Sequence, residues 1–360
     1  MHHNKEHLYI ICCLMILRGY MYTNTDYKPE WIREDFVDFL AEKFDSIWAW
    51  KKIKAEIIHL KALSADFTQV QLRPNQNFKV QDYHAGQSVL LTVVIGGVRH
   101  QRSYSIVHIS NQGHFSIAVK KQGLVSNALT ALAVGDVVEI SQPQGEFVLQ
   151  SSARPKLLLA SGSGITAIYA LLHAHLRQSQ QTIELIYFTR DDAYSTEIQD
   201  LATQYPHFNF HQINTLKQKQ HFDVALLERL VPDFKQRDCY ACGASSMMQS
   251  IQLLYQQMSL SEQLHMEYFQ IPIDESIAVQ PVKFLRSQQE FQAKSNLLES
   301  AEQAGLKPAH GCRMGICNTC SCTKVQGSVK NILTGEINSE NNSQIKLCIS
   351  QAISPVVINL

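Results

Sequence analysis

The chain has 360 residues, 45% apolar and 18% charged, which gives room for two or three globular domains and excludes a disordered chain. Lys plus Arg equals Asp plus Glu at 32 each, so no bulk field draws the protein to nucleic acid or an anionic surface.

Near the N-terminus, Leu8–Leu17 is an apolar run of ten residues, about half of the ~20 a helix needs to cross a bilayer. Arg18 follows directly and no small-residue cleavage site is evident. We favour a true start at Met21, with a weak membrane-associating segment and an ordinary packed element as open alternatives. Pro29 to Trp50 reads as a helix with Trp31, Ile32, Phe36, Phe39, Leu40, Phe44, Ile47 and Trp48 near helical spacing, and residues 1–50 are expected to form an extension. Such a stripe packs on a core in most proteins; its aromatic load also suits a membrane surface or a membrane-embedded partner.

Residues 51–150 change character. Short β-rich runs at Glu56–Leu63, Thr68–Leu72, Ser88–Ile95, Ser103–Val107, His114–Val119 and Asp136–Ser141, punctuated by turn residues, predict an antiparallel β-barrel. From Lys156 the period switches: Leu157–Ala160 is an apolar strand, Gly162-Ser163-Gly164 follows, and Ile165–Leu176 reads as helix. Strand and helix alternate on to Cys242, so residues 151–274 predict an α/β domain with a parallel sheet. In residues 275–360 a strand (Val279–Leu285) and a helix (Asn296–Ala304) precede a cysteine-rich loop.

That loop carries Cys312, Cys317 and Cys320, spaced C-x4-C-x2-C, with Cys348 further on. With nine Cys in the chain, a given Cys has roughly a one in 1600 chance of Cys at both following positions. The spacing is that of plant-type ferredoxins, in which four thiolates hold a [2Fe–2S] cluster. Gly311 and Gly315 permit the close backbone approach such a loop needs. A zinc site is disfavoured because paired CxxC or CxxH knuckles are missing. Cys12, Cys13, Cys239, Cys242 and Cys322 lie outside the quartet, and free thiols beside a thiolate-held cluster argue for a reducing cytoplasm. Cys322 reads as a buried neighbour, not a ligand.

Arg102-Ser103-Tyr104-Ser105 lies on a barrel strand, where alternation puts Arg102 and Tyr104 on one face and both serines on the other, so a bound flavin would run along the strand edge. The segment resembles the RxYS motif of the ferredoxin–NADP reductase superfamily. The resemblance gives Arg102 the cofactor pyrophosphate, Tyr104 the isoalloxazine face and Ser105 a hydrogen bond near flavin N5. Lys120–Leu129 is similar to the segment that starts a helix under the FAD pyrophosphate, which nominates Gly123, Val125 and Ser126, with Ser126 as N-cap. Pro143–Phe147 is similar to the closing turn of the flavin barrel.

Gly162-Ser163-Gly164-Ile165-Thr166-Ala167 follows a strand and opens a helix, the context of a pyrophosphate cradle; it resembles the superfamily's GxGIT nicotinamide loop, with Gly162, Gly164 and Thr166 at the phosphates. Past the second strand, Arg190 suits a 2′-phosphate and Asp191 or Asp192 a free ribose, with a weak lean to NADPH over NADH. Cys239–Cys242 is a CxxC at a strand end, where thiols are not activated. It resembles the family's CGPxxM strand end, placing Cys242 and Gly243 at the nicotinamide, although Ala244 replaces the proline. His265–Phe269 resembles the segment that brings Glu267 and Phe269 to the flavin ring.

Over about Lys51–Leu360 the chain looks like modular flavin reductases with flavin, nicotinamide and C-terminal ferredoxin domains, closest to those serving acyl-CoA desaturases. The resemblance implies a multidomain fold ending in an α+β β-grasp ferredoxin module, bound FAD and [2Fe–2S], and Ser105, Cys242 and Glu267 as reacting-site residues. It implies that a two-electron hydride donor is converted to single electrons sent to a terminal acceptor. We expect a membrane-bound diiron acyl desaturase as that acceptor, a monomer, no nucleic-acid partner, and a cytoplasmic position, peripheral at the inner face of the membrane. The alternatives are the reductase component of a Rieske-type oxygenase and a redox-sensing module.

Overall fold

The computed structural model describes residues 34–43 and 45–360; the Leu8–Leu17 run, Met21 and the first part of the expected extension lie outside them. Helix α1 (Glu34–Ala41) ends nine residues before Trp50, where the sequence pattern had placed its end. The reason is distant in sequence. Asn75 Nδ2 donates to the carbonyls of Ile47 and Lys52, and Asn77 Nδ2 to those of Ala49, Trp50 and Lys52. These acceptors are therefore held by the barrel instead of by a helix.

Strands β1 (Ile53–Ala62), β2 (Phe67–Pro74), β3 (Ser88–Ile95), β4 (Val98–Ile109), β5 (Phe115–Lys120) and β6 (Val137–Ile140) close an antiparallel barrel in the order β1-β2-β5-β4-β3-β6. Inward positions such as Ala55, Ile57, Val70, Leu72, Val89, Leu91, Ile106 and Ile117 form its core. Helix α2 (Leu124–Thr130) plugs that core with Val125 and Leu129. Where β4 should continue its pairing with β5, the register shifts between Ile106 and His108, and no pairing extends to Arg102–Ser105. The strands part there, which opens a cleft in the barrel wall.

The second unit is a parallel sheet, order β11-β10-β7-β8-β9, from β7 (Lys156–Ser161), β8 (Ile183–Thr189), β9 (Phe208–Asn214), β10 (Asp238–Gly243) and β11 (Leu264–Tyr268). All seven residues of β8 are buried, as expected for strands covered on both faces. The covers are α3 (Ile165–Gln178), α4 (Ser195–Gln204), α5 (Val224–Leu230) and α6 (Ser245–Gln257). Helix α3 also packs on β4, joining this unit to the barrel.

The third unit is a mixed sheet, order β13-β12-β19-β14-β17, from β12 (Gln280–Phe284), β13 (Gln289–Ala293), β14 (Ser321–Gln326), β17 (Ser343–Lys346) and β19 (Val356–Ile358). A three-stranded sheet of β15 (Val329–Asn331), β16 (Ile337–Asn338) and β18 (Ser350–Ala352) flanks it. Helix α7 (Leu297–Gln303) packs on the core through Leu297, Leu298 and Ala301, and its N-cap Asn296 accepts from Glu299 N at 2.9 Å. A helix laid on a mixed sheet in this way is the β-grasp arrangement expected. Among the described residues no helix is long and apolar enough to cross a membrane.

Candidate functional site

The cleft where β4 and β5 part measures about 300 Å³, at the lower end of small-molecule pockets. Arg102, Ser103, Tyr104 and Ser105 line it from β4, and Ala118 and Lys120 from β5. Gly123, Val125 and Ser126 come from α2, Ser163 and Thr166 from the loop after β7, and Phe269 from beyond β11. With Met314 of the third unit on its rim, segments from all three parts of the chain meet at one cavity.

Several groups there lack partners that a bound cofactor would supply. The Ser105 hydroxyl is buried without a hydrogen bond, whereas Ser103 Oγ donates to Ser88 Oγ at 2.7 Å and is spoken for. Among the described residues Arg102 donates only to the Gln101 carbonyl, at 2.7 Å, which leaves most of its fork open. Burial pushes the Tyr104 phenol far above its ordinary value, so its ring stays neutral. The set fits a flavin with its diphosphate: a cationic fork, an aromatic face and an unsatisfied hydroxyl on one strand edge.

One expectation needs correction. Ser126 is not the N-cap of α2; Gly123 is, and Ser126 stands at the third helical position. Its Oγ accepts from Gln122 N at 3.1 Å and Gly123 N at 3.0 Å, so its job is to fold the turn. Small residues at both positions made the cap ambiguous by three residues.

After β7, Gly162–Gly164 forms a short 3-10 turn leading into α3. A Cβ on Gly164 would sit 2.1 Å from the Cys242 carbonyl oxygen and 2.7 Å from Gly243 N, so only glycine lets the turn after β7 pack on the end of β10. This brings Cys242 and Gly243 beside the phosphate loop, and the register pairs Cys242 with Glu267 on β11. Glu267 is buried with Oε2 unpartnered, and burial raises its carboxyl to about 8. Glu267 opens toward a second cavity that Met314, Gly315 and Ile316 also line.

The residues after β8 part company. Asp191 pairs with Lys120 of the barrel at 3.1 Å and accepts from Ala193 N at 3.1 Å. Asp192 accepts from Gln212 at 3.3 Å. Arg190 is exposed and sits in no ion pair among the described residues.

In the third unit, Cys312, Cys317, Cys320 and Cys348 are all buried, and no disulfide forms among them. Backbone amides point at their sulfurs: Met314 N and Cys317 N at Cys312 Sγ (3.4 and 3.2 Å), Cys312 N at Cys317 Sγ (3.3 Å), and Gly315 N at Cys348 Sγ (3.3 Å). Cys320 and Cys348 sulfurs lie 3.4 Å apart. Among the described residues no three or more His, Cys, Asp or Glu side chains cage a single metal ion. Sulfur-to-sulfur hydrogen bonds join Cys312 to Cys317 and Cys348, and Cys348 to Cys320, so the four thiols form one linked set suited to a two-iron cluster, with the amides placed to bond thiolate and sulfide. Cys322 is buried in the core behind them, its thiol pushed up to about 12 by burial.

Nothing in the local pattern foretells how this loop docks. Leu90 of β3 packs directly on Cys312 and Cys317, with Met314 and Ile316 against them. Met314 lines both the flavin-type cleft and the cavity at Glu267. Nothing in a lone methionine between two ligands signals this contact, because it depends on how two folded units meet.

Three known families match successive parts of the chain. Residues 54–149 match the oxidoreductase FAD-binding domain, residues 158–253 the oxidoreductase NAD-binding domain, and residues 282–352 the 2Fe-2S iron-sulfur cluster binding domain. A protein described as NADPH oxidoreductase of Mycobacterium tuberculosis is 26% identical over 330 residues, covering 87% of this chain and 86% of that one. Phthalate dioxygenase reductase of Burkholderia cepacia is 23% identical over 317 residues, 85% of this chain and 96% of that one. A solved phthalate dioxygenase reductase shares the fold with a TM-score of 0.57, covering 85% of this chain and 97% of that one at 23% identity. The chain is thus an NAD(P)H oxidoreductase that joins an FAD-binding barrel, an NAD-binding α/β domain and a C-terminal [2Fe–2S] domain.

Proposed function

We propose that this oxidoreductase draws electrons from NADPH and delivers them singly to a terminal oxygenase, most specifically a membrane-embedded diiron acyl desaturase. The observation that carries the reductase reading is Met314: the loop between two cluster ligands lines the same cleft as Arg102–Ser105. FAD, when bound, accepts hydride, and the cluster accepts one electron at a time, so the pair converts one kind of carrier into the other.

The chain's own residues orient and tune. Arg102 would neutralise the FAD diphosphate, Tyr104 and Phe269 would bracket the ring, and Gly123, Val125 and Ser126 would shape the turn beneath the phosphates. Gly162, Gly164 and Thr166 would cradle the nicotinamide cofactor's diphosphate, with Cys242 and Gly243 under its ring. Ser105 would hold the hydrogen bond near the reacting flavin edge. Glu267, a carboxyl that keeps its proton near neutral pH, would hold that proton beside the cleft. Arg190 would receive the 2′-phosphate: Asp191, the nearer opposing charge, is offset by Lys120.

Support for a membrane partner comes from α1. Among its described side chains the buried one is Asp38, which accepts from Trp50 N at 2.8 Å, while Phe36, Phe39 and Leu40 are 59%, 55% and 47% exposed. A helix that turns its carboxylate inward and its aromatics outward suits an apolar surface on a partner or bilayer. We place the protein in the cytoplasm, at the inner face of the membrane, as a monomer.

The test is reconstitution. Membranes containing an acyl desaturase should turn over acyl-CoA when given this protein and NADPH. Phe36→Ser with Phe39→Ser should weaken that coupling more than cytochrome c reduction. NADH preferred by the wild type, and unchanged by Arg190→Ala, would remove Arg190 from the site. A second reading, the reductase of a Rieske-type oxygenase, draws on the likeness to a phthalate dioxygenase reductase over 96% of that protein's length. Efficient service to such an oxygenase, with none to a desaturase, would replace the partner and keep the reductase.

A further inference from the structure

Where the cluster loop meets the barrel, Arg313 grips a carboxylate, Glu302, whose charge is also felt by Arg102 of the other domain. Arg313, between Cys312 and Met314, holds a left-handed backbone with φ of +63°, unusual for a residue with a side chain. Its guanidinium grips Glu302 of α7 with two bonds, Nη1 to Oε2 at 2.7 Å and a shorter one from Nη2 to Oε1. Nη2 also donates to His310 Nε2 at 2.7 Å, so His310 carries its proton on Nδ1, which donates to the Pro308 carbonyl at 3.0 Å. His310 Nε2 is thus an acceptor here, and Glu302 is the charge that balances Arg313.

Across the interface stands Arg102, the flavin-site arginine. It feels Arg313 as a repelling charge and Glu302 as an attracting one, and Glu302 in turn feels Arg313, His310 and Arg102. The backbones are close at this point: a Cβ on Gly311 would lie 3.3 Å from the Gln101 side-chain oxygen. The seam is otherwise apolar, Leu90 on Cys312 and Cys317. Without Glu302, the repulsion between Arg102 and Arg313 would stand unbalanced beside this apolar patch.

We propose that Glu302 is a positioning residue for electron transfer: by pairing Arg313 and offsetting its repulsion of Arg102, it holds the cluster loop docked on the flavin cleft. The inference rests on the reductase reading. It has a thermodynamic corollary, since an anion on Arg102 relieves the same repulsion. Binding of FAD and docking of the ferredoxin domain therefore favour each other, and the coupling is reciprocal. Glu302 touches neither cofactor site directly and does its work through the two arginines.

The experiment uses full-length holoprotein with the isosteric Glu302→Gln. After anaerobic mixing with NADPH, flavin bleaching should keep its wild-type rate, while reduction of the cluster, followed by its absorbance and electron paramagnetic resonance, should slow about tenfold, the factor set by losing one charge-assisted pair. Amide hydrogen exchange in residues 311–316 and 101–104 should quicken. Adding Arg313→Gln, which removes the repelling charge, should restore part of both. Unchanged cluster reduction and exchange in Glu302→Gln would overturn the proposal. So would loss of the cluster from that variant, which would assign Glu302 to the loop's own fold. A wild-type cluster that NADPH does not reduce would sink the reductase reading itself, a distinct failure.

Discussion

Two Cys-x2-Cys pairs in this chain share a spacing and have opposite fates. Cys239 and Cys242 lie on β10, where residues three apart face opposite sides of the sheet. Cys239 joins the core with Phe234 and Tyr255, and Cys242 the core with Ile165 and Tyr240. Burial pushes the Cys239 thiol up to about 12 and raises the Cys242 thiol well above its ordinary value, so neither is a thiolate at neutral pH. Cys317 and Cys320 sit in a loop closed on itself, where hydrogen bonds among the quartet push Cys312 and Cys320 below the ordinary thiol range and Cys317 and Cys348 above it, as sulfurs close enough to share protons do. The spacing alone has no chemistry. The backbone that carries it decides whether two sulfurs meet.

The sharpest way to break this contrast is to exchange the two pairs as targets. Cys317→Ser should abolish or shift the cluster's paramagnetic signal while FAD is retained, because the domains bury separate cores. Cys242→Ala should leave iron and sulfide content unchanged. Cluster loss from the Cys242 variant would make the β10 thiols part of the metal site.

Glu267, the register partner of Cys242, gives the next largest effect. Its carboxyl is raised by burial from 4.5 to about 8. Between those values the folded protein binds more protons than the unfolded chain, so Glu267's contribution is fullest below pH 4.5 and is lost as pH rises through 8. The shift bounds that loss at about 5 kcal/mol. In Glu267→Gln the decline of unfolding free energy from pH 6 to pH 8.5, measured with urea, should be markedly shallower. An identical decline would mean the carboxyl is ionised in the fold.

A third prediction concerns what Cys242 does contribute, which is its backbone. Gly164→Ala would drive a Cβ into the Cys242 carbonyl, with a strain of about 1–3 kcal/mol. The KM for NADPH should rise about tenfold or more while cluster content holds. An unaltered KM would detach this turn from the nicotinamide site.

Much of this was readable in the chain because it is local. C-x4-C-x2-C, the Arg102–Ser105 strand edge and the Gly162–Gly164 turn each need only their neighbours to take shape. What escaped depends on distant partners. Asn75 and Asn77 capture the carbonyls that would have continued α1, Lys120 of the barrel offsets Asp191, and Met314 reaches the cleft only once the ferredoxin domain is docked. Periodicity reports which face is apolar and says nothing about which other unit will cover it.

The smallest expected effect separates packing from chemistry at Cys239 itself. The Tyr255 hydroxyl lies beside this thiol, buried, without a well-formed hydrogen bond. Cys239→Ala removes the sulfur's packing and leaves the hydroxyl no polar neighbour there, at a cost of about 1–2 kcal/mol. Cys239→Ser loses the same apolar contact yet offers an oxygen acceptor, so its cost should be smaller than alanine's by about 0.5–1 kcal/mol. Urea midpoints of the two variants decide the order. If serine proves the more damaging, Tyr255 has a better partner than Cys239, and the thiol is purely an apolar filler. Either order keeps Cys239 structural, whereas a change in cluster potential in both variants would reopen a redox role for the β10 pair.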